Sequence, residues 1–213
     1  MTQSSTMTLY HYWRSSCSWR VRWAMDLKKV THALEVINLL EGQQNSSDFL
    51  VRNPSGAVPC LKVGSQYFAE SLAILEYLEE LFPEPSLFPN SPLERLRVRQ
   101  LANIIVSGTQ PLQNLMVQRQ HSSDPEKQKE YAQFWIGRGL SSFESVLQMR
   151  SGSHSYSWGS QISLADICLI PQCYNALRFG FDLSAFPLIQ TIYQRAMDTE
   201  ACRRSAPDAY APS

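Results

Sequence analysis

Four prolines within ten residues, Pro83, Pro85, Pro89 and Pro92, divide the chain into two stretches of different character. Proline has no backbone N–H to give a helix or an inner strand, so no regular element is expected to cross this stretch. The boundary predicts a first domain over 1–83, a linker over 83–92 and a second domain over 93–213.

Before the prolines, strand-like and helix-like patterns alternate. Residues 8–13 (TLYHYW) are aromatic-rich and strand-forming. Cys17, Val21, Ala24 and Met25 then recur at helical spacing to about Lys29, and residues 32–37 read as a second strand. A βαβ unit with parallel strands is implied. Residues 38–56 are polar and broken by Gly42, Asn53-Pro54 and Gly56, as in a loop with at most a short helix. Residues 60–63 and 66–69 are strand candidates flanking Gly64-Ser65, a hairpin turn. Ser71 then reads as the N-cap of a helix whose Ile74, Tyr77, Leu78 and Leu81 share one face.

The order β-α-β-loop-β-β-α is that of a thioredoxin-like domain. After the prolines the pattern is helical, with candidates at 93–120, 125–150, 164–179 and 188–197. The fold class expected is therefore α/β plus all-α. Ser163 and Asp166 resemble a capping box, Pro171 is expected to kink its helix, and the tail 205–213 is expected to be mobile.

Composition narrows the function classes. Nineteen basic and nineteen acidic side chains cancel, which disfavours nucleic acid and anionic membranes as partners. No run reaches the roughly eighteen apolar residues of a membrane span, and the start MTQSSTMT lacks a signal-peptide pattern. The five cysteines are scattered, with no C-x-x-C and no zinc-finger histidines. A cytoplasmic protein with reduced thiols and no metal is expected.

The chemistry concentrates in residues 15–22, SSCSWRVR, at the first strand-to-helix turn. Hydroxyls, a thiol, helix N-terminal amides and arginines converge there, as at an anion site or around an activated sulfur. From the residues alone, Ser15 and Ser16 are either caps or hydrogen-bond donors to a ligand. Cys17 is either a reactive thiolate or a small buried filler.

This octet resembles the signature of the zeta class of glutathione transferases, best known for maleylacetoacetate isomerase. Residues 37–44 (INLLEGQQ), 53–59 (NPSGAVP), 70–80 (ESLAILEYLEE), 110–115 (QPLQNL), 163–172 (SLADICLIPQ) and 178–179 (RF) resemble the same family. The likeness runs from about Thr8 to about Pro207. It implies that Ser15 or Ser16 holds the glutathione sulfur ionised, with Cys17, Ser18, Trp19 and Arg20 lining the site and Cys17 modulating turnover. It implies a cis Val58-Pro59 bond and Val58 backbone contacts to the cysteinyl unit, Glu70 and Ser71 at the γ-glutamyl end, and Gln44 at the glycyl end. Gln is usual where this chain has Glu70. Gln110, Asn114 and Met116 match positions lining the site, and Arg178, with Arg20 or Arg22, matches a grip on a substrate carboxylate.

The activity implied is conversion of maleylacetoacetate to fumarylacetoacetate, in tyrosine and phenylalanine breakdown, by reversible addition of glutathione thiolate. Transfer of glutathione to α-haloacids, a Cys17 thiol oxidoreductase and a non-catalytic interaction module are the alternatives. A homodimer acting on a dicarboxylate-type small molecule is implied, with Asn103 where relatives often carry an acid near the dimer axis.

Overall fold

The structure, a computed structural model, describes residues 7–212. Residues 1–6 and Ser213, the ends of the two expected domains, lie outside the described residues. The chain divides into two compact units, one running to Pro85 and taking in Glu200 onward, the other spanning Ser86–Thr199. The expected second domain, 93–213, therefore ends early, because its last segment returns to the first unit. A second cis peptide, Glu84-Pro85, lies where the first unit's opening segment ends.

In the first unit, β1 (Met7–His11) is the centre of a four-stranded sheet of order β2-β1-β3-β4. The strand β2 (His32–Val36) pairs with it in parallel, Leu9 opposite Leu34, and β3 (Cys60–Val63) pairs antiparallel, Leu9 opposite Leu61. Strand β4 (Gln66–Phe68) closes a hairpin across Gly64-Ser65, with Val63 opposite Gln66 and Gly64 at φ 59°. The positive φ is what glycine supplies in a two-residue turn. The strand expected over 8–13 ends at His11, so Trp13 belongs to the turn that follows.

Helix α1 (Ser16–Leu27) is buried from Ser18 through Met25. It packs against α3 (Ser71–Leu81) and against α9 (Glu200–Ser205), which leaves it little polar surface and explains why its arginines sit inside. The polar loop carries a 3-10 turn, Gln43–Asn45, and a single-turn helix α2, Ser47–Leu50, capped by Ser46. Ser71 opens α3 as its first helical residue; the cap position belongs to Glu70, at φ 68°. The tail expected to be mobile is ordered as far as it is described. A 3-10 turn, Pro207–Tyr210, sets the Tyr210 ring 4.6 Å from the Arg22 guanidinium.

In the second unit, α7 (Leu164–Arg178) is buried along most of its length and runs through Pro171. The capping box of Ser163 and Asp166 forms, and burial holds the Asp166 carboxyl above the usual carboxylate range. Against α7 pack α4 (Pro92–Val106) and α8 (Pro187–Met197), and α6 (Pro125–Gln148) packs against both. The single helix expected over 93–120 is broken into α4, a 3-10 turn at Pro111–Gln113 and α5 (Leu115–His121). The break lies against α6, where a Cβ on Gly139 would collide with the Thr109 side chain.

Candidate active site

The turn between β1 and α1 is built by reciprocal capping. The Ser15 amide donates to Tyr12 O at 3.1 Å, and Ser15 Oγ accepts from the Ser18 amide at 3.2 Å. Ser18 Oγ in turn accepts from the Tyr12 amide at 3.4 Å. Because Ser15 Oγ serves as an acceptor, its own hydrogen remains available; no described residue receives it. Ser16 and Cys17 follow, half-buried, and as the first helical residues their amides have no acceptor within the helix.

Beneath this turn lies Arg20, wholly buried. Its Nη1 donates to Ser71 Oγ at 3.2 Å and approaches Cys17 Sγ at 3.6 Å, while Nε and Nη2 have no partner among the described residues. A buried guanidinium with no carboxylate beside it projects uncompensated positive potential on the two groups it touches, Cys17 and Ser71. Ser71 begins α3, whose own N-terminal amides add to that potential. Glu70, exposed and at a positive φ uncommon for a side-chain-bearing residue, holds its carboxylate at the same helix end.

Val58-Pro59 is cis, as expected. The Val58 N–H and C=O have no partner among the described residues. Gln44, in the 3-10 turn, has a buried Oε1 that also lacks a partner. These unspent groups fit a small peptide-like ligand carrying carboxylates, an ammonium and backbone amides, which is the make-up of glutathione.

The Ser18, Trp19 and Arg20 side chains of the octet are placed in the interior. Trp19 is fully buried, with Nε1 donating to Ser205 Oγ at 3.1 Å, so its side chain serves the interior and not a ligand. Ser18 is fully buried and committed to the turn. Arg20 is enclosed too completely for a bidentate grip on a substrate carboxylate; its charge acts through Cys17 and Ser71.

Gln110, Asn114, Met116 and Arg178 belong to the second unit. Gln110 and Asn114 flank the 3-10 turn at Pro111–Gln113, Met116 is 75% exposed, and Arg178 ends α7 with Nη1 on Asn175 Oδ1 at 3.2 Å. The turn is fastened by a pair that sequence reasoning missed: Gln113 and Gln172 exchange amide hydrogen bonds at 2.6 and 3.0 Å. Arg22, expected as an alternative to Arg20 beside a substrate carboxylate, is 1% exposed and clusters behind the Ser15 turn with His11 and Tyr210, two residues that sequence reasoning did not single out. The second arginine of SSCSWRVR was the one available signal.

Comparison with known proteins agrees with this geometry. The glutathione S-transferase N-terminal domain family matches residues 14–81. Maleylacetoacetate isomerase of Rattus norvegicus is 44% identical over 207 residues, covering 96% of this chain and 94% of that protein. A holo maleyl pyruvate isomerase, a bacterial zeta-class glutathione S-transferase, superposes with TM-score 0.92 at 34% identity, covering 95% of this chain and 97% of that one. Maleylacetoacetate isomerase from Anaeromyxobacter dehalogenans, with glutathione in its active site, superposes with TM-score 0.86 at 39% identity, covering 97% of each chain. The same protein with dicarboxyethyl glutathione and citrate bound gives TM-score 0.87 at 39% identity, over 97% of this chain and 93% of that one. Identity of this order along nearly the whole length, on the same fold, means that this chain belongs to the zeta class of glutathione transferases, the maleylacetoacetate isomerase family.

Proposed function

We propose that the protein is a glutathione-dependent cis-trans isomerase that converts maleylacetoacetate to fumarylacetoacetate. The observation that carries the reading is Ser15: a hydroxyl with its hydrogen unspent, at the start of α1, in a turn whose neighbouring thiol lies 3.6 Å from the buried Arg20 cation. Glutathione, when bound, supplies a thiolate that adds reversibly to an alkene carbon, so that a double bond becomes a rotatable single bond.

The protein's part is electrostatic and positional. Ser15 donates its hydroxyl hydrogen to the ligand sulfur, with Ser16 as the neighbouring donor, and the α1 amides and Arg20 favour negative charge there. Cys17 lines the sulfur's surroundings and takes no covalent part. Ser71 and the first α3 amides receive the γ-glutamyl carboxylate, and Glu70 accepts from its ammonium. Val58 pairs with the ligand backbone as an added strand would, and Gln44 meets the glycyl end. From the resemblance to the family, Gln110, Asn114 and Met116 are assigned to glutathione, and Arg178, whose planar guanidinium suits a bidentate hold, to a substrate carboxylate. The dicarboxylate ligand of the Anaeromyxobacter relative supports that assignment.

A homodimer in the cytoplasm completes the reading. None of the five cysteines is in a disulfide among the described residues, no helix among them is long and apolar enough to cross a membrane, and Leu93 and Leu96 stand 75% and 63% exposed one turn apart on α4. A second reading, α-haloacid conjugation, shares the nucleophile and the carboxylate grip. A glutathione-dependent absorbance assay with maleylacetone separates the two: isomerisation is expected, and no isomerisation alongside brisk haloacid turnover would sink the isomerase reading.

A further inference from the structure

Arg22 is 1% exposed and has no carboxylate partner among the described residues. It is instead the hub of the first unit's polar interior. Nη1 donates to Tyr12 O at 3.3 Å and to His11 Nδ1 at 3.1 Å, Nη2 donates to Trp13 O at 3.0 Å, and Nε donates to Ser205 O at 3.1 Å. The Tyr210 ring covers the guanidinium at 4.6 Å and meets His11 edge-on at 5.6 Å. One planar fork thus reaches two consecutive carbonyls of the turn before α1 and one carbonyl of the chain's last segment.

Tyr12 O is the shared atom. It accepts from Arg22 and also from the Ser15 amide, the bond that sets where Ser15 stands. The last segment is itself fastened to α1 through α9, by Trp19 Nε1 on Ser205 Oγ and by the Arg204–Asp26 ion pair at 3.0 Å. Releasing Tyr210 would rehydrate one side of the guanidinium, loosen its hold on Tyr12 O and Trp13 O, and leave the Ser15 turn with its local bonds alone.

We propose that Arg22 is a positioning residue that couples docking of the C-terminal segment to the geometry of the Ser15 turn, so that Tyr210 helps set how well Ser15 holds a thiolate. The functional half of this inference rests on the glutathione-activating role given to Ser15; the structural half does not, and the experiment separates them.

Amide hydrogen exchange is measured at Ser15 and Ser18 in the wild type, Tyr210→Ala, Tyr210→Phe and Arg22→Lys proteins, each checked for native circular dichroism. The ultraviolet titration of the thiol of added glutathione is recorded on the same samples. Tyr210→Ala and Arg22→Lys are expected to speed Ser15 exchange about tenfold, as a loss of about 1.4 kcal/mol would. They should also move the bound-thiol midpoint upward. Tyr210→Phe, which keeps the ring over the guanidinium, is expected to behave as the wild type. A merely structural role would lower the melting temperature and leave the midpoint of the folded fraction in place. Unchanged exchange at Ser15 in both Tyr210→Ala and Arg22→Lys would overturn the proposal. Faster exchange in a protein whose wild type never shifts the glutathione thiol would support the coupling and overturn the isomerase reading instead.

Discussion

Arg20 and Ser71 are joined by one hydrogen bond, Nη1 to Oγ at 3.2 Å, which ties α1 to the first residue of α3. The guanidinium is fully buried and its Nε and Nη2 are unpartnered, so the fold carries a desolvated cation that it does not neutralise. A group held at such a cost to stability is expected to act on something outside the chain.

The first prediction follows from that imbalance. Arg20→Met, similar in length and apolar, should leave the melting temperature unchanged or raise it, while weakening glutathione binding by about tenfold, because the positive potential that reaches the ligand through Cys17 and Ser71 is lost. Thermal melts and tryptophan-monitored glutathione titrations read the two quantities. A large fall in melting temperature with unaltered binding would show that Arg20 serves packing alone.

His11 sets the acid limit. Burial first, then the charge of Arg22 and the presence of His32, push its pKa from the ordinary 6.5 down to about 4. On acidification the unfolded chain takes up the proton before the folded one does. Stability is therefore whole above about pH 6.5, declines toward about pH 4 and is lost by up to about 3 kcal/mol below that. His11→Gln should flatten this slope in urea unfolding series at several pH values. An unchanged slope would assign the acid sensitivity to other groups.

The thiols should differ sharply in reactivity. Cys17 is half-buried beside Arg20, whereas burial pushes the Cys60 thiol up to about 11, that of Cys202 to about 12 and that of Cys173 higher still. Native alkylation with iodoacetamide is expected to place a single adduct, at Cys17, and glutathione should slow it. Peptide mass mapping that finds Cys60 or Cys173 modified first would contradict the packing described.

Leu93 and Leu96 test the dimer. Leu96→Lys should shift sedimentation toward the monomer mass, because a lysine facing its symmetry mate would desolvate a charge against apolar surface. A monomeric wild type would overturn that part of the account.

Much of the first unit was legible because its signals are local. The aromatic-rich, strand-forming run in residues 8–13, the helical spacing of Cys17, Val21, Ala24 and Met25, and the Gly64-Ser65 turn each specify an element within a few residues. Pro111 was equally visible as a helix breaker, and reading 93–120 as one helix overlooked it. Other features depend on contacts distant in sequence. Tyr210 is ordered by Arg22, 188 positions earlier in the chain, and nothing in residues 205–213 signals that.

The octet was read well as a location and less well residue by residue. Cys17 lies beside the Arg20 cation and Ser15 caps the turn, whereas Trp19 and Ser18 are buried. A helix packed against two other helices buries side chains that its sequence pattern leaves ambiguous.

The central claim, that Ser15 activates glutathione for isomerisation, is tested most directly by kcat for maleylacetone in wild type, Ser15→Ala and Ser15→Thr proteins, with the bound thiol titrated in each. The account predicts a glutathione-dependent wild-type rate, a fall of about a hundredfold in Ser15→Ala with the thiol midpoint raised, and substantial recovery in Ser15→Thr. A Ser15→Ala protein with the wild-type rate and midpoint would contradict it.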